Sequence, residues 1–148
     1  MADAKLDGPL DLASLRAAIQ ALANSVDVVS SPEFAVADPR WRDTLVAGVV
    51  QHFEFTFELC WKMLKRQLER EVPSPSELDG SSYRDLFRLG HQRGLIAAVE
   101  PWFEFRELRH ITAHTYARDK AQKVASGAPA LLAQARAMLS AIESRNHA

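Results

Sequence analysis

At 148 residues, 47% of them hydrophobic and 25% charged, the chain has the length and balance of one ordered domain with a real core, which excludes wholesale disorder. Eighteen Lys and Arg stand against nineteen Asp and Glu, a net charge of −1, so bulk attraction to a polyanion or a membrane is excluded and any such site must be a local patch. The lone cysteine, Cys60, leaves no internal disulfide and, with no apolar N-terminal run, points to the cytoplasm; the longest aliphatic stretch, TLVAGVV at 44–50, is too short to span a bilayer.

In chain order, the first predicted element is an amphipathic helix over 11–28, where Leu12, Leu15, Ile19 and Leu22 recur at helical spacing. It ends in SSPEFAVADPR, broken by Pro32 and Pro39. The longest helix is predicted from Trp41 to Val72. Phe53, Phe57, Cys60, Trp61, Leu64 and Leu68 form its stripe, flanked by Phe55, Leu59 and Met63, a face wide enough for the centre of a bundle. Glu54, Glu58 and Lys62 step by four along its polar side. The segment 72–82 reads as a loop, with Ser81 or Ser82 as a cap for a short helix over Tyr83–Gln92 that stops near Gly94. Pro101 suits the first turn of a fourth helix, Trp102–Tyr116. The fifth runs Arg118–Ser144 and buries Leu131, Leu132, Ala135, Met138, Leu139 and Ile142, with a kink or break expected at Gly127 and Pro129. No strand alternation and no internal repeat is present, so the fold predicted is an all-α, single-domain, up-and-down bundle of about five helices. It should fill residues 10–145, between a flexible N-terminus at 1–9 and a tail at 146–148 that holds His147.

Chemistry concentrates at 106–116, RELRHITAHTY. Cys60, set among Phe57, Trp61 and Leu64, reads as a buried hydrophobe, and Gly90 and Gly94 lack the strand–loop–helix setting of a phosphate loop. His91 reads as an exposed helix residue. Glu54 and Glu58 suit helix-surface salt bridging better than acid–base work. His110 and His114 stand four apart, but no third ligand or HExxH pattern accompanies them, so no metal and no cofactor is called for. Arg109 and His114 are the sharper pair. An imidazole can move a proton near neutrality and a guanidinium can clamp a phosphate, which together suit RNA cleavage through the 2′-hydroxyl. Residues 106–123 carry Arg106, Arg109, Arg118, Lys120 and Lys123 against Glu107 and Asp119, a local excess of three positive charges that could guide RNA. Five residues turn a helix by roughly 140°, so Arg109 and His114 converge only if the helix bends or a second copy supplies the complement. Arg106, His110 and His114 nearly share a face.

The stretch from Arg109 to Tyr116 resembles the R-x4-H-x-Y signature of HEPN-domain proteins, in the branch described as nucleotidyltransferase substrate-binding proteins. GVVQHFEFTFELCWKMLK at 48–65, SYRDLFRLGHQRGLI at 82–96 and WFEFRELRHITAHTY at 102–116 are similar to its helices in the same order. The resemblance implies a homodimeric HEPN-like bundle with a metal-independent endoribonuclease site across the interface. Arg109 and His114 would be catalytic, with His110 and Arg106 auxiliary. It also implies a toxin whose antitoxin is a minimal nucleotidyltransferase, neutralising it by AMP transfer to Tyr116. The alternative is a non-catalytic subunit that presents substrate to that enzyme. Two positions depart from the family's usual pattern: His110 stands where Asn is common, and Ala117 follows Tyr116 where an acidic residue is frequent.

Overall fold

A computed structural model gives the structure of residues 8–114 and 117–146, without the side chains of 112–114. Six α-helices and one 3-10 helix are present among the described residues, with no strand. They are α1 (Ala13–Val29), α2 (Pro32–Ala35), α3 (Pro39–Glu71), a 3-10 turn (Pro75–Gly80), α4 (Tyr83–Gln92), α5 (Glu100–His114) and α6 (Arg118–Asn146). Of the predicted termini, residues 1–7 and His147 lie outside the described residues.

Local chemistry accounts for the boundaries. Asp38 caps α3, accepting the Arg40 N–H at 2.8 Å with Pro39 following it, so the helix starts two residues before the expected Trp41. Ser31 caps the short α2, which the prolines had masked. The predicted loop at 72–82 contains the 3-10 turn, fastened to α3 by Lys65 Nζ on Asp79 Oδ1 at 2.9 Å and by buried Leu78. Ser82, rather than Ser81, caps α4 through the Asp85 N–H at 3.2 Å. At its other end Gly94 takes φ +77°, a conformation that costs glycine little, while Leu95 N–H returns to the Gly90 carbonyl at 2.8 Å.

At 33 residues, about 50 Å, α3 is the central rod. Thr56 Oγ1 donates to the Ala18 carbonyl at 3.2 Å and His52 meets Ser25, so α1 runs antiparallel to it. Phe105 packs on Phe53 and Trp102 on Phe57, so α5 is antiparallel as well. Arg118 meets Asp43 near the two starts, and Arg145 meets Glu71 near the two ends, so α6 lies parallel to α3. The long helices α1, α3, α5 and α6 thus alternate in direction, the up-and-down bundle expected. Leu15, Leu22, Phe53, Phe57, Leu64, Leu131, Met138 and Ile142 are fully buried between them.

Two expectations about packing are corrected. Of the kink or break expected at Gly127 and Pro129, the break does not occur: α6 runs unbroken from Arg118 to Asn146. Pro129 removes one backbone donor, but Val124, Ala128, Leu131 and Leu132 around it are buried, and that packing outweighs a penalty of about 3 kcal/mol. Gly127 has a packing role instead, because a Cβ there would stand 2.5 Å from Leu108 Cδ1. The second correction concerns Phe55, which is 57% exposed and not a flank of the core, while Leu139 is only half-buried.

Candidate functional site

Trp102, Phe105, Leu108 and Ile111 repeat every three residues along α5 and anchor it: the first two are buried and the last two partly so. Trp102 stacks on Phe87 with centroids 5.4 Å apart and meets Phe105 edge-on at 5.3 Å. This rigid seat sets the direction of the polar residues. Arg109 is half-buried and turned toward α3, where its Nε stands 3.7 Å from Glu58 Oε1. The other carboxylate oxygen of Glu58 accepts the Trp61 indole N–H at 3.2 Å. Arg106 lies over the Tyr83 ring, 4.4 Å from its centroid, and that ring packs 5.1 Å from Trp61.

One cluster therefore joins three helices: Glu58 and Trp61 from α3, Tyr83 from α4, Arg106 and Arg109 from α5. Its electrostatics register at Tyr83. Burial raises the phenol above its ordinary value, the Glu58 carboxylate raises it further, and Arg106 and Arg109 pull it back. Glu58 is thereby removed from the role of helix-surface partner that its spacing to Lys62 implied. Neither Glu58's cross-bundle pairing nor Tyr83 was visible in the motif, since helical spacing reports neighbours along one helix only.

His110 is exposed on the outer side of α5, as are Lys120 and Lys123 on α6. The backbone of α5 reaches His114, whose side chain lies outside the described residues, as does the whole of Tyr116. Arg118 pairs with Asp43 of α3 through an Nη2–Oδ2 distance of 2.6 Å, so one charge of the basic segment is offset by a carboxylate more than seventy positions away in sequence. Among the described residues no three or more of His, Cys, Asp and Glu gather as a metal site. Cys60 is buried, and burial pushes its thiol well above the ordinary range, which suits a core hydrophobe and not a nucleophile. No helix among the described residues is long and apolar enough to cross a membrane.

Comparison with known proteins fits this architecture. A protein of Haemophilus influenzae named probable ribonuclease HepT is 33% identical over 138 residues, 93% of this chain and 94% of that one. A solved Haemophilus influenzae structure, described as revealing the fold of a substrate binding domain of a nucleotidyltransferase, superposes with a TM-score of 0.86 at 32% identity, covering 90% of this chain and 99% of the other. Residues 10–145 match the family model described as nucleotidyltransferase substrate binding protein like, in keeping with the resemblance carried by 48–65, 82–96 and 102–116. The chain belongs to the nucleotidyltransferase substrate binding protein like family.

Proposed function

We propose that this protein is a metal-independent endoribonuclease, the toxin of a pair whose antitoxin is a minimal nucleotidyltransferase. His114 takes the proton from an RNA 2′-hydroxyl, whose oxygen attacks the adjacent phosphorus. The bond to the 5′-oxygen breaks, leaving a 2′,3′-cyclic phosphate, and an imidazolium returns a proton to the departing oxygen. Arg109 offsets the charge that builds on the phosphoryl oxygens. Its angular offset from His114 is met by a two-fold dimer in which each protomer's arginine works beside its partner's histidine. His110 and Arg106 assist at the rim, Arg118, Lys120 and Lys123 guide the strand, and AMP placed on Tyr116 by the partner enzyme closes the site.

The observation that supports this reading most directly is near-full-length similarity to a protein named a probable ribonuclease, together with an intact R-x4-H segment at the end of α5. The test is cleavage of RNA by purified protein in EDTA, with a cyclic phosphate end and a loss of at least about a hundredfold in Arg109→Ala and in His114→Ala. Arg109→Lys should not recover the full rate, because an ammonium lacks the bidentate fork. Equal behaviour of wild type and both alanine variants on every RNA would overturn it.

Two observations favour a second reading, a non-catalytic subunit that presents substrate to the nucleotidyltransferase. Arg109 and Arg118 are each engaged by a carboxylate, and the solved relative is described as a substrate binding domain. Retained binding of the partner without any RNA cleavage would select it.

A further inference from the structure

Beside the start of α6 a groove of about 180 Å³ is lined by Phe34, Pro39, Arg42, Asp43, Val46, Arg118 and Gln122. Two features mark it as a place for an anion. Arg42 Nε is buried without a hydrogen-bond partner, a donor that folding has desolvated and left unused. Arg118 engages Asp43 through Nη2, yet 69% of its side chain remains exposed, so the rest of its fork is open to a second acceptor.

Phe34 also lines a neighbouring apolar hollow of about 440 Å³ with Val28, Trp41 and Leu45. Trp41 is 68% exposed, an unusual setting for so large an apolar ring. A guanidinium pair thus sits next to an uncovered indole, with Phe34 between them. Phosphate on arginine with a base on an aromatic face is the general means by which proteins hold single strands.

The position is right for a strand that also reaches the motif. Contacts step toward the start of α3 as α5 advances, from Trp102 on Phe57 to Phe105 on Phe53. The end of α5 at His114 therefore lies level with the first turns of α3, where Arg42 and Asp43 stand. Arg118 is only four residues beyond His114, at most about 14 Å along the backbone.

We infer that this groove is a nucleotide subsite for single-stranded RNA, with a backbone phosphate on Arg42 and Arg118 and the neighbouring base stacked on Trp41. It deepens the ribonuclease reading, on which it rests for its substrate class. Asp43 acts as a brake, holding part of Arg118 and keeping the subsite selective for an anion that can compete with a carboxylate.

The test is binding of a short, uncleavable 2′-O-methyl RNA, read by fluorescence anisotropy across a salt series, with cleavage of ordinary RNA by the wild type followed in parallel. Trp41→Ala and Arg42→Ala should each weaken binding about tenfold. Arg42→Ala should also flatten the slope of log K against log salt by about 0.7, the value for one phosphate contact to a single strand. Asp43→Asn should tighten binding, an effect that a merely structural ion pair would not produce. Trp41→Phe, which keeps a stacking face, should retain most of the affinity. If wild type cleaves RNA while Trp41→Ala and Arg42→Ala bind like wild type with an unchanged slope, the subsite is overturned and the ribonuclease reading stands. If the variants lose RNA binding but wild type cleaves nothing, the subsite stands and the ribonuclease reading falls. Loss of nucleotidyltransferase pairing in Trp41→Ala, with RNA binding intact, would overturn the subsite in favour of a protein-docking face.

Discussion

Arg109 Nε on α5 stands 3.7 Å from Glu58 Oε1 on α3, and the Trp61 indole holds the second oxygen of the same carboxylate. The guanidinium is therefore aimed from across the bundle, by a side chain that is itself fixed. Glu58→Gln keeps the size and the acceptor for Trp61 but removes the charge. Cleavage should fall about tenfold or more as Arg109 loses its orientation. Stability measured by urea denaturation should change by less than about 1 kcal/mol, because both partners of the pair remain partly in water.

Tyr83 provides an independent readout of the same cluster. Burial and the Glu58 carboxylate hold its phenol above the ordinary 10.0, against the pull of Arg106 and Arg109. A raised value means that the folded state keeps the proton longer than the unfolded chain does. This contribution to stability is therefore fully present below pH 10.0 and is lost as pH rises through the folded-state value. Ultraviolet difference titration in a Tyr116→Phe background, which leaves Tyr83 as the sole tyrosine, should show the raised titration. Adding Glu58→Gln should move it downward.

On the proposal of AMP transfer to Tyr116, Tyr83 should be a poor acceptor. The Tyr83 ring is packed against Trp61, Phe57 and Phe87 and roofed by Arg106, and its raised value disfavours the phenolate. Co-expression with the partner nucleotidyltransferase should therefore add AMP to wild type and to Tyr83→Phe, but not to Tyr116→Phe. Intact-mass measurement checks this. The Tyr116→Phe protein should remain a nuclease and escape neutralisation, since no added phosphate would occupy the basic segment.

Phe57 touches Tyr83, Phe87 and Trp102 at centroid distances of 6.2, 6.4 and 6.4 Å and is almost fully buried. Phe57→Ala should cost about 3–5 kcal/mol by urea denaturation, since the cavity opens where α3, α4 and α5 meet. Phe55→Ala, two residues earlier on the exposed side, should cost far less.

Much of the fold was legible because helical periodicity and caps are local. Ser82 and Gly94 bracket α4 at the predicted Tyr83–Gln92, and the Leu15, Ile19 and Leu22 stripe of α1 is buried as its spacing required. The failures were of the opposite kind. Pro129 reads as a helix breaker until its neighbours are seen packed from Val124 to Leu132, and Gly127 reads as a weakness until Leu108 is seen in its place. The site divided in the same way. Residues 106–123 announced their charge and their imidazoles, whereas Glu58 and Asp43, which decide how Arg109 and Arg118 are held, sit on another helix. Nothing in their spacing records a partner brought near only by folding.

Leu10 N–H donates to Asn146 Oδ1 at 3.2 Å, Asn146 Nδ2 donates to Gln67 Oε1 at 2.9 Å, and Arg145 grips Glu71 at 2.7 Å. The two ends of the described chain are thus clasped together at one pole. Gln67 and Asp43 are 24 positions apart on one continuous helix, so this pole lies about 36 Å from the Arg118–Asp43 contact. A tag, fluorophore or surface linker joined at Leu10 or at Asn146 would leave from the pole opposite Asp43. Held at either of these two residues, the protein should present the same face to solution, with the start of α3 uppermost in both.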